Sequence, residues 1–175
     1  MKRSDMKRIV LVALTLLGTA QATRYANNLA LLQPSEVCIE KPSIFLDKTF
    51  DSTSALPAEI QQILKKEAAR KGLNIAETTE ENCVGFVYLT VNISKTIKGY
   101  IYNTRLQLTL QQAQLSQLTT PYMKTVYSEG KAMYAVVWDT EQLGIYERED
   151  MLRPLMIGDG LNLFDAFVED WKAVH

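Results

Sequence analysis

Histidine is nearly absent from this sequence, and its single copy, His175, is the last of 175 residues. A residue in that place is expected to fray in solvent. Without another imidazole the chain offers no general base for a Ser-His-Asp or Cys-His mechanism. It also offers no histidine cluster for zinc, copper or non-haem iron. No Gly-x-Ser-x-Gly elbow, Gly-x-x-x-x-Gly-Lys phosphate loop or Gly-x-Gly-x-x-Gly fingerprint occurs. Neither a cofactor nor a metal is therefore expected. Excess charge of either sign is missing as well, with 19 Lys+Arg against 20 Asp+Glu. Phosphate contacts need a basic surface, so nucleic acid is not an expected partner. Only 8 Gly and 5 Pro are present, which excludes a collagen-like or low-complexity chain, and a hydrophobic share of 47% excludes a disordered one.

An apolar run of membrane length is also missing. The most apolar stretch, Ile9 to Leu17, has nine residues, less than half of the ~20 needed to span a bilayer. It follows a basic start made of Lys2, Arg3, Lys7 and Arg8, opposed only by Asp5. Gly18, Thr19 and the triplet Ala20-Gln21-Ala22 come after it, small residues at the spacing that signal peptidase requires. Residues 1–22 are therefore expected to be a cleavable signal peptide. Residues 23–175 are then a single exported α+β domain, mildly acidic once the basic leader is gone. No permanent membrane span remains, and the destination is periplasmic or secreted. No cysteine stands at the cleavage point, where Thr23 follows Ala22, and this disfavours a lipoprotein anchor. Met6, with its own Lys7-Arg8, is an alternative start.

Cysteine is scarce, and Cys38 and Cys83 are the only two. In an exported chain such a pair reads as one disulfide. Redox chemistry of the thioredoxin kind wants two cysteines two residues apart, and structural zinc wants four ligands.

Periodicity sets out the elements. A weak helical signal covers Tyr25–Leu32. Val37–Leu46 reads as a strand broken by Pro42, which places it at an edge or splits it into two pieces. Leu56–Lys71 is the clearest helix: Pro57 suits its first turn and Gly72 its stop. Ile60, Ile63, Leu64 and Ala68 share one face, and Lys65, Lys66, Arg70 and Lys71 complement the helix dipole. Val84–Ile93 and Tyr100–Leu110 alternate as strands joined by a turn at Lys98-Gly99. Met123–Trp138 is expected to be a third strand, with Gly130 at a bulge or bend. Asp139 to Arg148 is expected to be a short helix. Ile157-Gly158-Asp159-Gly160 is expected to be a turn, and a last helix carries Leu161, Phe164, Phe167, Val168 and Trp171 on one stripe. The sum is an α+β fold, an antiparallel sheet of about four strands with helices packed on one face.

Candidate functional residues follow from the strands. Tyr100 and Tyr102 share a face with Leu106, Leu108 and Leu110 and are assigned to the core. The opposite face carries Asn103, Arg105, Gln107, Thr109 and Gln111, the mark of a strand wet on one side. Phe86 and Tyr88 lie opposite Val87, Leu89 and Val91, so they too are candidates for binding. Glu147, Glu149 and Asp150, near Arg148 and Arg153, are a carboxylate cluster of the kind common on solvated surfaces. The expectation is an exported, non-catalytic protein of the envelope or the extracellular space that binds a protein partner. The alternatives are a carboxylate-based glycan hydrolase and a carrier of a small apolar ligand held between sheet and helix.

Overall fold

The structure, a computed structural model, describes residues 26–50, 54–76, 83–110 and 135–175. The expected signal peptide and most of the expected strand Met123–Trp138 lie outside the described residues. The fold is α+β. Strands β1 (Val37–Ile39), β2 (Ser43–Leu46), β3 (Thr49–Phe50), β4 (Gly85–Thr96), β5 (Gly99–Leu110) and β6 (Ala135–Tyr146) form one sheet. Its order is β3-β2-β4-β5-β6, and β1 also pairs with β4. Helices α1 (Leu56–Arg70) and α2 (Leu152–Val174) pack on one face.

Pro42 acts as the sequence suggests. It cannot donate to a ladder, so the Val37–Leu46 run splits in two. Both pieces stay on the same edge of β4, Val37–Ile39 beside Gly85–Val87 and Ser43–Leu46 beside Thr90–Ile93. They run parallel to β4, not antiparallel, because the connection that includes α1 brings the chain back to the end of the sheet at which β2 began. From β4 onward the pairing is antiparallel. β2 and β3 close on the two-residue turn Asp47-Lys48, with both residues at positive φ (47° and 68°) as a primed turn requires. The Asp47 carboxylate accepts the Lys95 backbone N–H at 2.9 Å and ties that turn to β4.

The core is the layer between sheet and helices. Val87, Leu89, Val91 and Ile93 of β4, Tyr100, Tyr102, Leu106 and Leu108 of β5 and Trp138 of β6 face the helices. Ile60, Leu64 and Ala68 of α1 meet them, as do Phe164, Phe167, Val168 and Trp171 of α2. Trp138 and Phe167 pack edge to face at 5.2 Å, and the Trp138 indole N–H donates to Asp170 at 2.9 Å. The core assignment of Tyr100 and Tyr102 holds, since both are buried.

Two expectations in the C-terminal third are corrected. Asp139–Arg148 is not helical, because β6 runs through it to Tyr146. Its inward positions are Trp138, Thr140, Gln142, Gly144 and Tyr146, mostly polar or small, so the alternation of an apolar strand is muted in the sequence. Gly158, Asp159 and Gly160 do not form a turn but sit inside α2, which starts at Leu152 with Pro154 in its first turn. A Cβ on Gly160 would come within 3.2 Å of Leu89 Cδ2, so the glycine lets the helix approach the sheet. Nor is His175 frayed. Its ring stacks on Trp171 at 4.4 Å, and its Nε2 lies 2.8 Å from the Leu32 carbonyl oxygen.

Candidate functional site: the open face of the sheet

The sheet has a second face, and no described helix covers it. Its residues follow from the register. Across β4, β5 and β6 the outward rows are Phe86–Thr109–Val136, Tyr88–Gln107–Asp139, Thr90–Arg105–Glu141, Asn92–Asn103–Leu143 and Ser94–Ile101–Ile145. Strand alternation puts all of these on one side because successive side chains point to opposite faces.

The rows differ in character from one end to the other. At the first, the Cys38–Cys83 disulfide forms, with its Cα atoms 5.7 Å apart. Both cysteines are buried and pack with Phe86 and Ala76 in a small cluster separate from the main core. Phe86 is therefore 3% exposed. The sequence placed it beside Tyr88 on an accessible face, but the disulfide lies over it. Tyr88, one row on, is exposed. The middle rows are polar and matched in charge. Arg105 Nε donates to Asp139 Oδ2 at 3.1 Å, a second guanidinium N–H reaches the same oxygen, and Asn103 Nδ2 donates to Glu141 at 3.4 Å. The far end is apolar, with Ile101, Leu143 and Ile145 exposed by 40%, 70% and 76%.

Five candidates from the sequence, Tyr88, Asn103, Arg105, Gln107 and Thr109, thus come together on one surface. Gln111 lies outside the described residues. What sequence reasoning missed is the β6 contribution: Asp139, Glu141, Leu143 and Ile145. The signal was the alternation Leu143-x-Ile145 beside two acidic residues at the same phase, read there as part of a helix.

The opposite face holds a tyrosine cluster. Tyr146 stands between Tyr100 and Tyr102, with ring centroids 5.6 and 5.0 Å away. The Tyr100 hydroxyl donates to Glu149 at 2.9 Å, and this bond, with some burial, raises its pKa above the ordinary phenol value. Burial, and next the Asp159 carboxylate, raises that of Tyr102. Burial pushes Tyr146 up to about 12, with the neighbouring Tyr100 and Asp159 adding to the effect. Asp159 is 5% exposed and accepts Gln142 Nε2 at 3.0 Å. Thr104 Oγ1 and the Tyr146 hydroxyl are buried without a hydrogen-bond partner among the described residues.

The carboxylate cluster does not converge. Glu149 is bonded to Tyr100, Asp150 to Arg148, and Arg153 reaches across to Glu59 on α1. The cations on α1 are partly neutralised where they stand. Arg70 pairs with Glu67, and Lys71 lies 2.8 Å from Asp165 of α2. Among the described residues no group of three or more His, Cys, Asp or Glu is placed to hold a metal, and no helix is long and apolar enough to cross a membrane. Comparison with known proteins finds no matching family model, no matching curated protein and no matching solved structure.

Proposed function

We propose an exported, non-catalytic protein that binds a protein partner in the cell envelope or outside the cell, through the open face of its sheet. One observation carries the reading: long paired strands present a face with no described helix on it, polar at its centre and apolar at one end. Interfaces combine apolar area with polar groups in this way, and exposed apolar side chains in a group mark interaction surfaces. The Arg105–Asp139 pair gives that face a fixed pattern of charge, which favours partner choice over raw affinity. The disulfide is compatible with an oxidising compartment. The leader pattern of residues 1–22 supports the same destination.

The test is a photo-reactive residue at Gln107, on the face, compared with one at Glu169, exposed on α2. Crosslinking in intact cells is expected to give a discrete adduct from position 107 only. Arg105→Gln should reduce that adduct severalfold. It should leave folding intact, since a half-exposed ion pair contributes no more than about 1 kcal/mol. Equal adducts from both positions, or none from 107, overturn the reading. Export is checked separately by N-terminal sequencing, with Thr23 expected first. Untrimmed, reduced chain recovered from cytosol would refute it.

A further inference from the structure

The open face ends at β6, and among the described residues β6 is paired on one side only. An unpaired strand edge is a row of free backbone donors and acceptors, and proteins usually blunt it with proline, lysine, a bulge or a covering segment. Among the described residues β6 is blunted at its start alone. The register shifts opposite Leu108 and Thr109, and Asn28 of the short 3-10 helix Ala26–Leu31 donates to the Val137 carbonyl oxygen at 2.7 Å. From Asp139 to Tyr146 the register with β5 is unbroken. This stretch contains no proline, lysine or arginine.

Its outward side chains have a pattern of their own. Glu141, Leu143 and Ile145 alternate, and Glu147 follows in the same phase one residue past the strand. Leu143 and Ile145 are exposed, and the two glutamates that bracket them form no salt bridge among the described residues. The complement of acid, apolar, apolar, acid at alternate positions is base, apolar, apolar, base. A second copy of this chain cannot supply it through the same edge. β6 has no cation, so every register of β6 on β6 sets its carboxylates against carboxylates or apolar groups.

Resting on the reading of this protein as a binder, we propose that the Asp139–Tyr146 edge takes up an extended segment of the partner as an added strand. That segment carries Lys or Arg facing Glu141 and Glu147 and apolar residues facing Leu143 and Ile145. Main-chain hydrogen bonds to β6 hold it, and the alternating side chains select it.

The probe is a fluorescent synthetic peptide containing Lys-Thr-Val-Thr-Val-Thr-Lys, titrated against the purified protein by anisotropy. An analogue with glutamate in place of both lysines should bind at least about tenfold more weakly, because like charges then face each other across the strands. Two further analogues carry N-methyl groups on alternate residues, one for each phase. Only alternate N–H groups of an added strand point at its neighbour, so one phase should abolish binding and the other leave it nearly unchanged. Glu141→Lys should weaken the lysine peptide roughly fivefold and strengthen the glutamate analogue, with the melting temperature falling only slightly, because the exposed side chain gives up one long hydrogen bond from Asn103 and then faces Arg105 across the strands.

No binding at millimolar lysine peptide, equal binding of both N-methyl phases, or indifference to Glu141→Lys overturns the proposal. So does a concentration-dependent dimer that Leu143→Lys disperses, since a second copy would then own the edge. If the peptide fails while the position-107 adduct still depends on Arg105, the edge proposal falls and the open-face reading stands. If both fail, neither survives.

Discussion

Replacing Gly144 by alanine tests whether the sheet and α2 are packed as described. Gly144 sits on β6 directly opposite Tyr102 of β5, and no positive φ requires a glycine there. Its role is space. A Cβ built at this position falls 2.2 Å from Tyr102 Cε1, 2.3 Å from Cζ and 2.5 Å from the hydroxyl oxygen. All three distances are well inside van der Waals contact, so the ring must move. It has little room, being 5% exposed and packed against the Tyr146 ring at 5.0 Å. Forcing extra volume into a filled core costs ~1–3 kcal/mol, and an overlap with three atoms of one enclosed ring puts this case at the upper end. Gly144→Ala should therefore destabilise the protein by roughly 3 kcal/mol. In a chain of this size that lowers the melting temperature by about 6–12 °C. Urea unfolding followed by tryptophan fluorescence reads the change, because Trp138 and Trp171 lie in the same layer. Pairing the change with Tyr102→Val removes the obstacle, so the double variant should be less destabilised than the sum of the singles. A Gly144→Ala protein within about 0.5 kcal/mol of the parent, or strictly additive variants, would refute the packing argument.

Other outcomes follow from the same geometry. Reducing the Cys38–Cys83 bridge, or replacing both cysteines by serine, should cost about 4 kcal/mol in the chain-entropy account of a loop with a sequence separation of 45, read as a fall in the urea midpoint under reductant. Tyrosine ionisation should set the alkaline limit. Tyr146 has its pKa raised from 10.0 to about 12, so its contribution is fully present below pH 10 and is lost as the pH rises through about 12. The loss amounts to roughly 2–3 kcal/mol, measured as urea midpoints at pH 9 and pH 12, and Tyr146→Phe should flatten that slope. Lys48→Gly should stabilise the fold by about 0.5 kcal/mol, since the turn holds Lys48 at φ 68° and glycine is the favoured residue there; a lower melting temperature would contradict the turn assignment.

How much of this was legible in the chain depends on how local the cause was. The helix Leu56–Arg70 could be read because its apolar spacing, Pro57 and Gly72 all lie within one stretch of sequence. The β4–β5 hairpin could be read because alternation and the Lys98-Gly99 turn are local too. Asp139 to Tyr146 could not, because that part of the strand faces the helix layer with Thr140, Gln142 and Gly144, whose fitness for it comes from Asp159 and Tyr102 elsewhere in the chain. Gly158-Asp159-Gly160 misled for a similar reason. Two glycines look like a turn until a sheet is seen to need the closeness that Gly160 allows.

The open face divides along the same line. Sequence alone determined that β5 has a wet side, that Asn103, Arg105, Gln107 and Thr109 share it, and that Cys38 and Cys83 have only each other to pair with. Alternation and cysteine count are properties of the chain as written. Tertiary structure decided that the disulfide covers Phe86 and leaves Tyr88 open, that Arg105 meets Asp139, and that Leu143 and Ile145 stand between two glutamates on an edge with no partner strand among the described residues. Those facts arise from strand register and from segments tens of residues apart being brought together, and no local pattern encodes a distance of that kind.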